Sequence, residues 1–527
     1  MPNWNKCCRP IRFLALIALL QLCAAAGLRA QTAVAMTAVE IQVVDSETGR
    51  GVPLVTLTSV DEQTWLTDSA GRVAVTDPEL LGQRVFFTVS SPGYQYRKDG
   101  FGYAGTRLEL EPGSRHELQL QRLQPAERLY RITGRGQYRA TAGLGREIPD
   151  RAAALNGQVV GQDSVQTAIY NGRMHWFWGD TSRLAYPLGL FRTAGAITAT
   201  PSSGLWDPQV GIPLKYFVKG DGFVRAMVDV PESDGVVWIQ GVCTVRDQGG
   251  RDRMVCQYSR RRGLAEPLEQ GHLIWNDERE IFEVLEQIPL GETWRQLGEH
   301  PDVMIEGGTE WLVFGRPFPT VRVPATVVGI TDRAAYQAWS CLTGENVDKQ
   351  PVPQRTAAGR LDYGWRARPP VTQQMERRWL QSGLITADEV RYLPQDAEQN
   401  GRVVFHAGTV RFNPHRGRWI LLGNEQATRN DAESYLGEVY YSEAETPQGP
   451  FMQALRIATH PGQSYYNPCQ HVEFDAEGGA VVLFEGTYTN MFTQSQPTAL
   501  YNYNQLMYRL DLRDKRLIRV FGEAQQD

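Results

Sequence analysis

Five short apolar segments share one format along this 527-residue chain, and this repetition restricts the fold more than any other feature. Each has a turn, several apolar residues and then a glycine, and each follows another strand-like segment across the turn. The repeats lie about 60 to 110 residues apart, which leaves room for two more strands in each unit. The repeated segments are MHWFWGDT, VVWIQGV, EWLVFGRP, RWILLGNE and AVVLFEGT, with their glycines at Gly179, Gly241, Gly315, Gly423 and Gly486.

A hairpin that recurs five times predicts an all-β fold whose main part is a five-bladed β-propeller with four-stranded blades. A large β-sandwich with similar hairpins is the alternative, but it gives no reason for a fivefold recurrence. In a propeller the inner strand of each blade lines the central channel, so we expect the working site at the mouth of that channel. The segments that precede the five repeats are SVQTAIY, FVRAMVDV, PDVMIE, GTVRFN and CQHVEF.

The longest interval between repeats contains a helical pattern. Met375 and Trp379 fall on one side of a helix, and Thr386 with Glu389 forms a capping box that predicts the start of a second helix. We therefore expect a short helical insertion over about 371–398, between the third and fourth blades.

The first 30 residues have the order of a secretory signal peptide. Lys6, Arg9 and Arg12 precede a short apolar run, and Ala30 follows among small residues. The run is short for a bilayer span, which needs about 20 residues. We expect residues 1–30 to be removed and the rest of the chain to be secreted or periplasmic.

Residues 38–124 form a pattern of short strands joined by turns rich in Gly, Pro, Asp and Ser. The order VDSETGRGVP, TDSAGRVAV and SPGY resembles the carboxypeptidase-regulatory-like β-sandwich that accompanies many secreted catalytic domains. The resemblance implies an accessory module and no peptidase activity. Residues 125–150, which are Arg- and Gly-rich, are predicted to be a linker, and residues 151–527 are predicted to form the propeller.

Composition excludes several classes of partner. The net charge is −5, and no Lys/Arg run gives a basic footprint for nucleic acid or a polybasic face for lipid. No segment after the predicted signal peptide is apolar for long enough to favour membrane insertion. We expect a monomer that binds an oligosaccharide or polysaccharide.

Four cysteines follow the predicted signal peptide, and none has the spacing of a zinc site. Cys243 and Cys256 flank the polar stretch RDQGGRDR, so they are candidates for a disulfide across a hairpin, with buried thiols as the alternative. The other two are Cys341 and Cys469. No cofactor or metal ligand set is predicted, and a structural calcium ion, which some propellers hold in the channel, is left open.

The first hairpin brings two aspartates together. Its predicted turn is centred between Asn171 and Gly172, which places Asp163 opposite Asp180 at the channel mouth. Two carboxyl groups this close resist simultaneous ionisation, so one pKa should rise. Glycoside hydrolysis needs such a pair, with one acid to protonate the leaving oxygen and one carboxylate as nucleophile or base. The alternative is that each aspartate only caps backbone amides in a turn.

Folding the other hairpins in the same way brings further polar side chains to the same rim. The predicted neighbours are Glu299 and His300 with Gly315 and Arg316, His406 with Asn424 and Glu425, and Gln470 and His471 with Glu485 and Gly486. The candidates for holding substrate are Trp178, Glu299, His300, Arg316, His406 and Glu485. The last blade is rich in aromatics, and one or two rings at the mouth are enough to stack on a sugar; its tyrosines are Tyr465, Tyr466, Tyr501, Tyr503 and Tyr508.

Three segments carry a resemblance to a known group of enzymes. GQDSVQTAIYNGRMHWFWGDTS, GEVYYSEAETPQGPF and FEGTYT resemble secreted five-bladed propellers of the arabinanase and β-fructosidase type. They are most similar to a group linked to endo-acting arabinofuranan hydrolysis, whose first blade carries a GQD and FGDT pattern. The resemblance implies that Asp163 and Asp180 are the catalytic pair and that Glu438 is a third candidate for the acid. The first strand lacks the Asp-Pro opening of the better-known arabinanases, which leaves the roles within the pair open.

The sequence therefore favours a secreted glycoside hydrolase that acts on a polysaccharide, with furanoside-containing glycans as the class that the resemblance implies. Two alternatives remain at this point. One is a propeller that binds glycan without chemistry. The other is a polysaccharide lyase, in which His300 or His406 acts with a tyrosine to remove a proton beside a uronate.

Overall fold

The structure is a computed structural model, and the predicted signal peptide lies outside the residues it describes. Strands make up nearly all of the regular structure, as the all-β prediction requires. None of the described helices has the length and apolar character needed to cross a membrane. The chain divides into two compact units, called here unit 1 (38–121 and 138–148) and unit 2 (122–137 and the described part of 150–524). The described residues are 38–148, 156–231, 234–343, 351–428 and 434–524.

Unit 1 consists of eight strands in two four-stranded sheets. The strands are β1 (Val39–Asp45), β2 (Thr56–Ser59), β3 (Thr64–Leu66), β4 (Arg72–Val75), β5 (Arg84–Ser90), β6 (Tyr94–Gln95), β7 (Gly105–Glu109) and β8 (Arg115–Arg122). The strand orders are β4-β1-β8-β6 and β3-β2-β5-β7. Alternate residues of both sheets, among them Ile41, Val43, Leu57 and Val89, are buried in one shared core.

Part of the predicted linker belongs to unit 1. It forms the short helix α1 (Arg139–Gly143). The N–H and the hydroxyl of Thr141 both donate to the buried Asp68 carboxylate at 2.8 Å. Arg146 also pairs with the buried Glu40 at 2.6 Å. These bonds satisfy two carboxylates that would otherwise be costly to bury.

Unit 2 contains the remaining strands and three more helices. The strands before the insertion are β9 (Glu127–Arg131), β10 (Val159–Gln162), β11 (Gln166–Tyr170), β12 (Arg173–Trp178), β13 (Thr181–Arg183), β14 (Tyr186–Leu190), β15 (Ala194–Ala199), β16 (Lys215–Tyr216), β17 (Val228–Asp229), β18 (Val236–Arg246), β19 (Asp252–Arg262), β20 (Glu266–Asn276), β21 (Ile281–Gln287), β22 (Asp302–Glu306), β23 (Thr309–Phe314), β24 (Val321–Pro324), β25 (Gln337–Ser340) and β26 (Gly364–Arg366). Those after it are β27 (Gln395–Asp396), β28 (Phe405–Asn413), β29 (Arg418–Glu425), β30 (Val439–Ala444), β31 (Gln453–Ala458), β32 (Ser464–Gln470), β33 (Val481–Thr489) and β34 (Asn504–Asp511). The helices are α2 (Val327–Thr331), α3 (Gln373–Gln381) and α4 (Lys515–Phe521).

Five sheets of four or five strands follow one another along unit 2. We number them in chain order: β11-β12-β15-β16, β18-β19-β20-β21-β17, β22-β23-β24-β25-β26, β28-β29-β30-β31-β27 and β32-β33-β34-β9. A three-stranded sheet, β10-β13-β14, lies beside the first. The strand named first in each order is a sheet edge, and these five edge strands are called here the inner strands.

Buried apolar clusters join neighbouring sheets. One cluster holds Leu483 and Met507 of the fifth sheet with Trp176 of the first. Separate clusters join the first sheet to the second, the second to the third, and the fourth to residues that follow the third. These clusters join the fifth sheet to the first, the first to the second and the second to the third, and β28 of the fourth sheet contacts β32 of the fifth, where the Thr409 hydroxyl accepts the Gln470 N–H at 3.1 Å.

The fifth sheet is completed by a strand from the beginning of unit 2. β9 pairs antiparallel with β34, with Arg131 opposite Leu506. Leu129 of β9 is fully buried in the cluster between the fifth and first sheets. The segment 125–150, predicted as a linker, thus contributes a core strand to unit 2 as well as α1 to unit 1.

The second repeat differs from the predicted hairpin. The segment VVWIQGV lies in β18, the inner strand of its sheet, and pairs with β19 after it and not with FVRAMVDV before it. The latter segment supplies β17, which pairs parallel with β21 at the opposite edge. The tight turn after β18, in which the Arg251 carbonyl accepts the Asp247 N–H at 2.9 Å, explains the choice of partner.

The helical insertion contains one helix and not two. Thr372 caps α3 by accepting the Met375 N–H at 3.2 Å. The predicted second helix is wrong: Thr386 and Glu389 form their capping bond at 2.9 Å, but only a turn follows. The N–H of Tyr392 donates at 2.8 Å to the buried Glu376 carboxylate of α3. This N–H is therefore not available for the backbone hydrogen bond that would continue a helix after Thr386.

The four described cysteines are buried and unpaired. Cys243 lies opposite Val255 in the hairpin between β18 and β19, one residue away from facing Cys256. The predicted disulfide is therefore wrong, and the buried-thiol alternative holds. Burial raises the pKa of the Cys243 thiol to about 12 and so keeps it protonated.

Candidate active site

The first hairpin has the predicted register. Its turn is at Asn171 and Gly172, both with positive φ (50° and 71°), and Tyr170 lies opposite Arg173. Asp163 and Asp180 flank its two strands and lie next to each other. The Asp180 N–H donates to Asp163 Oδ1 at 3.0 Å.

Asp163 sits among donors that favour its ionised form. The Tyr466 hydroxyl donates to Asp163 Oδ2 at 2.8 Å, and the Tyr503 hydroxyl is a second donor. Burial outweighs these hydrogen bonds, so the pKa of Asp163 is raised above its usual value. Asp163 is nevertheless the member of the pair with more donors to stabilise a negative charge.

Asp180 has fewer hydrogen-bond donors that would stabilise its ionised form. Its Oδ1 accepts one hydrogen bond, from the indole N–H of Trp238 at 3.0 Å. Burial, and then repulsion from the charge of Asp163, raise the pKa of Asp180 to about 7. The pKa values of both aspartates are therefore raised, and the pair binds a proton more tightly than two separate carboxyl groups would.

Three residues beside Asp163 have strained backbone. Ser164, Asn467 and Tyr503 have φ values of 56°, 50° and 60°, in the left-handed region that non-glycine residues rarely adopt. Asn467 Nδ2 donates to the Ser164 hydroxyl at 2.8 Å, and the Ser164 N–H donates to the Thr487 hydroxyl at 3.0 Å. Such strain persists only where the surroundings enforce it, and it is concentrated at functional sites.

A cavity of about 490 Å³ opens among the second, third and fourth sheets and the insertion. Three of the predicted substrate-holding residues line it, Glu299, Arg316 and His406. Amide side chains from three different elements line it as well, Gln240, Gln373 and Gln426. Neither Asp163 nor Asp180 is among the described residues of its wall.

Arg316 organises the polar wall of this cavity. Its Nη1 lies 3.3 Å from Glu299 Oε1, and its Nη2 donates to His406 Nε2 at 2.9 Å. Burial, and then the charge of Arg316, lower the pKa of His406 to about 4. An arginine can only donate, so His406 is neutral near pH 7, with its Nε2 lone pair engaged and its proton on Nδ1.

β18 links Asp163 and Asp180, called here the acid pair, to the cavity. Trp238 bonds Asp180, and Gln240 of the same strand lines the cavity. Residues i and i+2 of a strand share a face and lie about 7 Å apart, so the two side chains point the same way. The Gly241 N–H donates to the Glu299 carbonyl at 2.7 Å, which joins β18 to the loop before β22.

A second path joins the two parts on the opposite side. Gln426 of the cavity wall donates to the Tyr435 hydroxyl. The Ser434 hydroxyl donates to the carbonyl of Gln463, directly before β32, and Tyr466 of β32 bonds the acid pair. The acid pair and the cavity therefore lie on one closed ring of contacts, at the N-terminal ends of the five inner strands.

Two predicted acidic site residues, Glu485 and Glu438, bond other partners. Glu485 is fully buried opposite Cys469 and bonds His471 Nε2 at 2.7 Å. Since β32 extends over Ser464–Gln470, Cys469 and Glu485 pair near the end of that strand that is farther from the rim. Glu438, the third acid candidate, accepts the Thr459 hydroxyl at 2.7 Å and lies 3.4 Å from Arg456.

His300 and Trp178 also differ from their predicted roles. His300 Nδ1 lies 3.6 Å from Cys469 Sγ, and burial lowers the pKa of His300 to about 3. Trp178 is 1% exposed and packs against Trp176 and Tyr216 in the core, so its ring offers no face to a substrate. Within the described residues no three His, Cys, Asp or Glu side chains converge so as to hold a metal ion.

Comparison with known proteins adds three distant structural neighbours. The GH43_1 enzyme from Xanthomonas citri complexed with xylotriose is 10% identical, with a TM-score of 0.33, over 68% of this chain and 88% of its own. An exo-1,5-α-L-arabinanase from a bovine ruminal metagenomic library is 10% identical, with a TM-score of 0.33, over 68% of this chain and 95% of its own. An endo-arabinase from Bacteroides thetaiotaomicron is 9% identical, with a TM-score of 0.31, over 68% of this chain and 96% of its own. At TM-scores this low the likeness assigns no activity to this chain.

No family profile matches the sequence, and no curated protein matches it. The site is therefore defined by this chain's own residues. Sequence reasoning singled out Tyr466 and Tyr503 only as two of several aromatics in the last blade. It missed Trp238 and Gln240, because VVWIQGV was assigned to the second strand of a hairpin. The Gly-closed format of that segment does not distinguish an inner strand from its neighbour.

Proposed function

We propose that this protein is a glycoside hydrolase and that unit 2 is a five-bladed β-propeller with its active site at one rim. The five consecutive sheets support this architecture, as do the cores that join the fifth sheet to the first, the first to the second and the second to the third. The ring of contacts at the N-terminal ends of the inner strands corresponds to one mouth of the channel. We further propose that the protein is secreted and that unit 1 is the carboxypeptidase-regulatory-like accessory module.

One observation carries the proposal: two neighbouring aspartates differ in their surroundings, since several donors reach the Asp163 carboxylate and one reaches that of Asp180. Asp180, with a pKa near 7, is the general acid that protonates the glycosidic oxygen as its bond to the anomeric carbon breaks. Asp163, supported by Tyr466 and Tyr503, is the carboxylate that attacks that carbon or activates a water. A turn that only caps backbone amides has no need for this difference.

The cavity supplies a second part of the binding site. Arg316 donates and Glu299 accepts, and the two side chains are 3.3 Å apart. One hydroxyl of a sugar can accept a hydrogen bond from Arg316 while a neighbouring hydroxyl donates one to Glu299. The carboxylate of a uronate bound at the same place would instead be repelled by the Glu299 carboxylate. We therefore propose a neutral polysaccharide as substrate, with furanoside-containing glycans as the first class to test.

The two alternatives are less well supported. A lyase needs a base with a free lone pair, but Arg316 occupies His406 Nε2 and the pKa of His300 is near 3. A binding protein without chemistry gives no reason to place two aspartates with raised pKa values side by side.

The test is hydrolysis of linear arabinan, arabinoxylan and galactan by the wild type, Asp163→Asn and Asp180→Asn. We expect both variants to lose at least about 100-fold in kcat, the range of general acid–base catalysis. Asp475→Asn is the matched control: the pKa of Asp475 is also raised to about 7 by burial, but it bonds Gln470 beyond the far end of β32. Full activity in both Asp163→Asn and Asp180→Asn would refute this mechanism, and affinity without turnover in the wild type would favour the binding protein.

A further inference from the structure

An exposed aromatic side chain stands beside the acid pair. Phe492 lies in the connection between β33 and β34, and 52% of its surface is exposed. Its backbone is left-handed, with a φ of 65°. A bulky residue in this region is a true outlier, so the position needs a reason.

The connection that carries Phe492 is held by hydrogen bonds. The Ser464 hydroxyl donates to the Met491 carbonyl at 2.6 Å, and the Asn490 N–H donates to Asn502 Oδ1 at 2.8 Å. The Thr493 hydroxyl donates to the Asn490 carbonyl at 2.8 Å. These bonds hold the loop without any contribution from the Phe492 ring, so packing of that ring is not what fixes the loop.

The ring is directly connected to the acid pair. Its centroid lies 6.1 Å from that of Tyr466, at an interplanar angle of 73°. Tyr466 is 6% exposed and donates its hydroxyl to Asp163 at 2.8 Å. Phe492 is therefore the solvent-facing end of a short chain of contacts that begins at the proposed catalytic carboxylate.

We propose that the Phe492 ring is a binding platform on which a neutral sugar residue next to the cleaved bond stacks through its C–H face. This inference rests on the proposed function. An aromatic ring gives a large apolar surface with little side-chain freedom to lose, which suits it to holding one face of a sugar. The hydroxyls at the edge of the same sugar stay free to reach polar side chains on the ring of contacts.

The experiment compares Phe492→Leu, which keeps the apolar character and removes the ring, with Phe492→Tyr, which keeps the ring. Met491→Leu is the control for changes in the same loop, since Met491 is 39% exposed. The probes are 1,5-linked arabinohexaose, 1,4-linked xylohexaose and 1,3-linked galactohexaose. We expect Phe492→Leu to raise KM at least about fivefold on the hexaose that is cleaved, with kcat within about twofold, because stacking acts on ground state and transition state alike. Phe492→Tyr and Met491→Leu should keep the wild-type KM.

Binding is measured separately by calorimetry in the Asp163→Asn background, which distinguishes this inference from the proposed function. A Kd raised by Phe492→Leu and preserved by Phe492→Tyr supports the platform even if no hexaose is cleaved. Equal Kd and KM values for Phe492→Leu and Met491→Leu would overturn it, as would a loss confined to kcat. Failure of the wild type to bind any of the three hexaoses at millimolar concentration would overturn it as well.

Discussion

Gly179 shows how a single residue fixes the geometry of the acid pair. A methyl group at this position would overlap the Asp163 carboxylate, and the three nearest atoms to it all belong to Asp163. The Gly179 N–H also donates to the Asp163 carbonyl at 2.8 Å. The glycine that closes the first repeat is therefore required by the neighbouring carboxylate and not only by the hairpin.

Gly179→Ala should displace the Asp163 carboxylate while the hairpin stays intact. We expect a fall in kcat of about 10- to 100-fold, since displacing a reacting group by about 1 Å has effects of this size. Gly220→Ala is the control, because open space surrounds that position. The measurement is kcat on a cleaved glycan together with the melting temperature. A Gly179→Ala variant as active as Gly220→Ala would contradict the assigned position of Asp163.

The indole of Trp238 sets the pH range over which Asp180 can act as an acid. Its hydrogen bond favours the ionised form and so lowers the pKa of Asp180, against the larger effect of burial. In Trp238→Phe the pKa of Asp180 should rise, and the carboxyl group should stay protonated to higher pH. The alkaline limb of kcat/KM, expected near pH 7 in the wild type, should therefore move upward. Trp206→Phe, which removes an indole bond to the Ala199 carbonyl, should leave the limb in place.

At the scale of elements, local turn chemistry made the first hairpin predictable. Asn171 and Gly172 admit the left-handed backbone of a two-residue turn, so the register followed from the turn alone. The same reasoning failed in the fifth sheet, where the inner strand runs over Ser464–Gln470 and not over CQHVEF, so that Glu485 pairs near its far end. Short 3-10 turns over Val472–Phe474 and Glu477–Gly479 occupy the rest of the connection, and alternation of apolar residues does not reveal such turns.

The helix α3 shapes the cavity through one side chain. Gln373 Nε2 donates to the Phe405 carbonyl at 3.0 Å, and Gln373 Oε1 accepts the Phe405 N–H at 2.9 Å. These two bonds place the insertion beside His406, the next residue of β28.

Gln373→Ala should weaken both stability and substrate binding. Removing the amide leaves the Phe405 N–H and carbonyl without these partners, with an expected loss of about 1–3 kcal/mol in the free energy of unfolding. KM should rise because His406 and Arg316 lose the support of α3. Gln381→Ala is the control, since Gln381 is exposed on the same helix and does not line the cavity. Equal KM values for the two variants would show that the insertion does not shape the binding site.

At the scale of the whole molecule, the repeats foretold the number of large sheets in unit 2 but not how the last one is completed. The segment 125–150 has no apolar periodicity that would identify its partner strand. That partner lies more than 350 residues away in the chain, since Arg131 pairs with Leu506. Its pairing follows from the closure of unit 2, where the fifth sheet meets the first. Local patterns cannot encode such a contact, and this is why the segment was predicted as a linker.

The place of β9 in the core gives a direct test of that closure. Leu129 and Leu483, from opposite ends of unit 2, are both fully buried in the cluster between the fifth and first sheets. If β9 is an integral strand, Leu129→Ala should lower the free energy of unfolding of unit 2 by about 2–5 kcal/mol, as Leu483→Ala should. Leu123→Ala, at a position that is 54% exposed, should change it by less than about 0.5 kcal/mol. Removing a buried leucine from a strand of the core leaves a cavity and so lowers the free energy of unfolding. If denaturant unfolding gave Leu129→Ala the same small effect as Leu123→Ala, β9 would not be part of the fifth sheet.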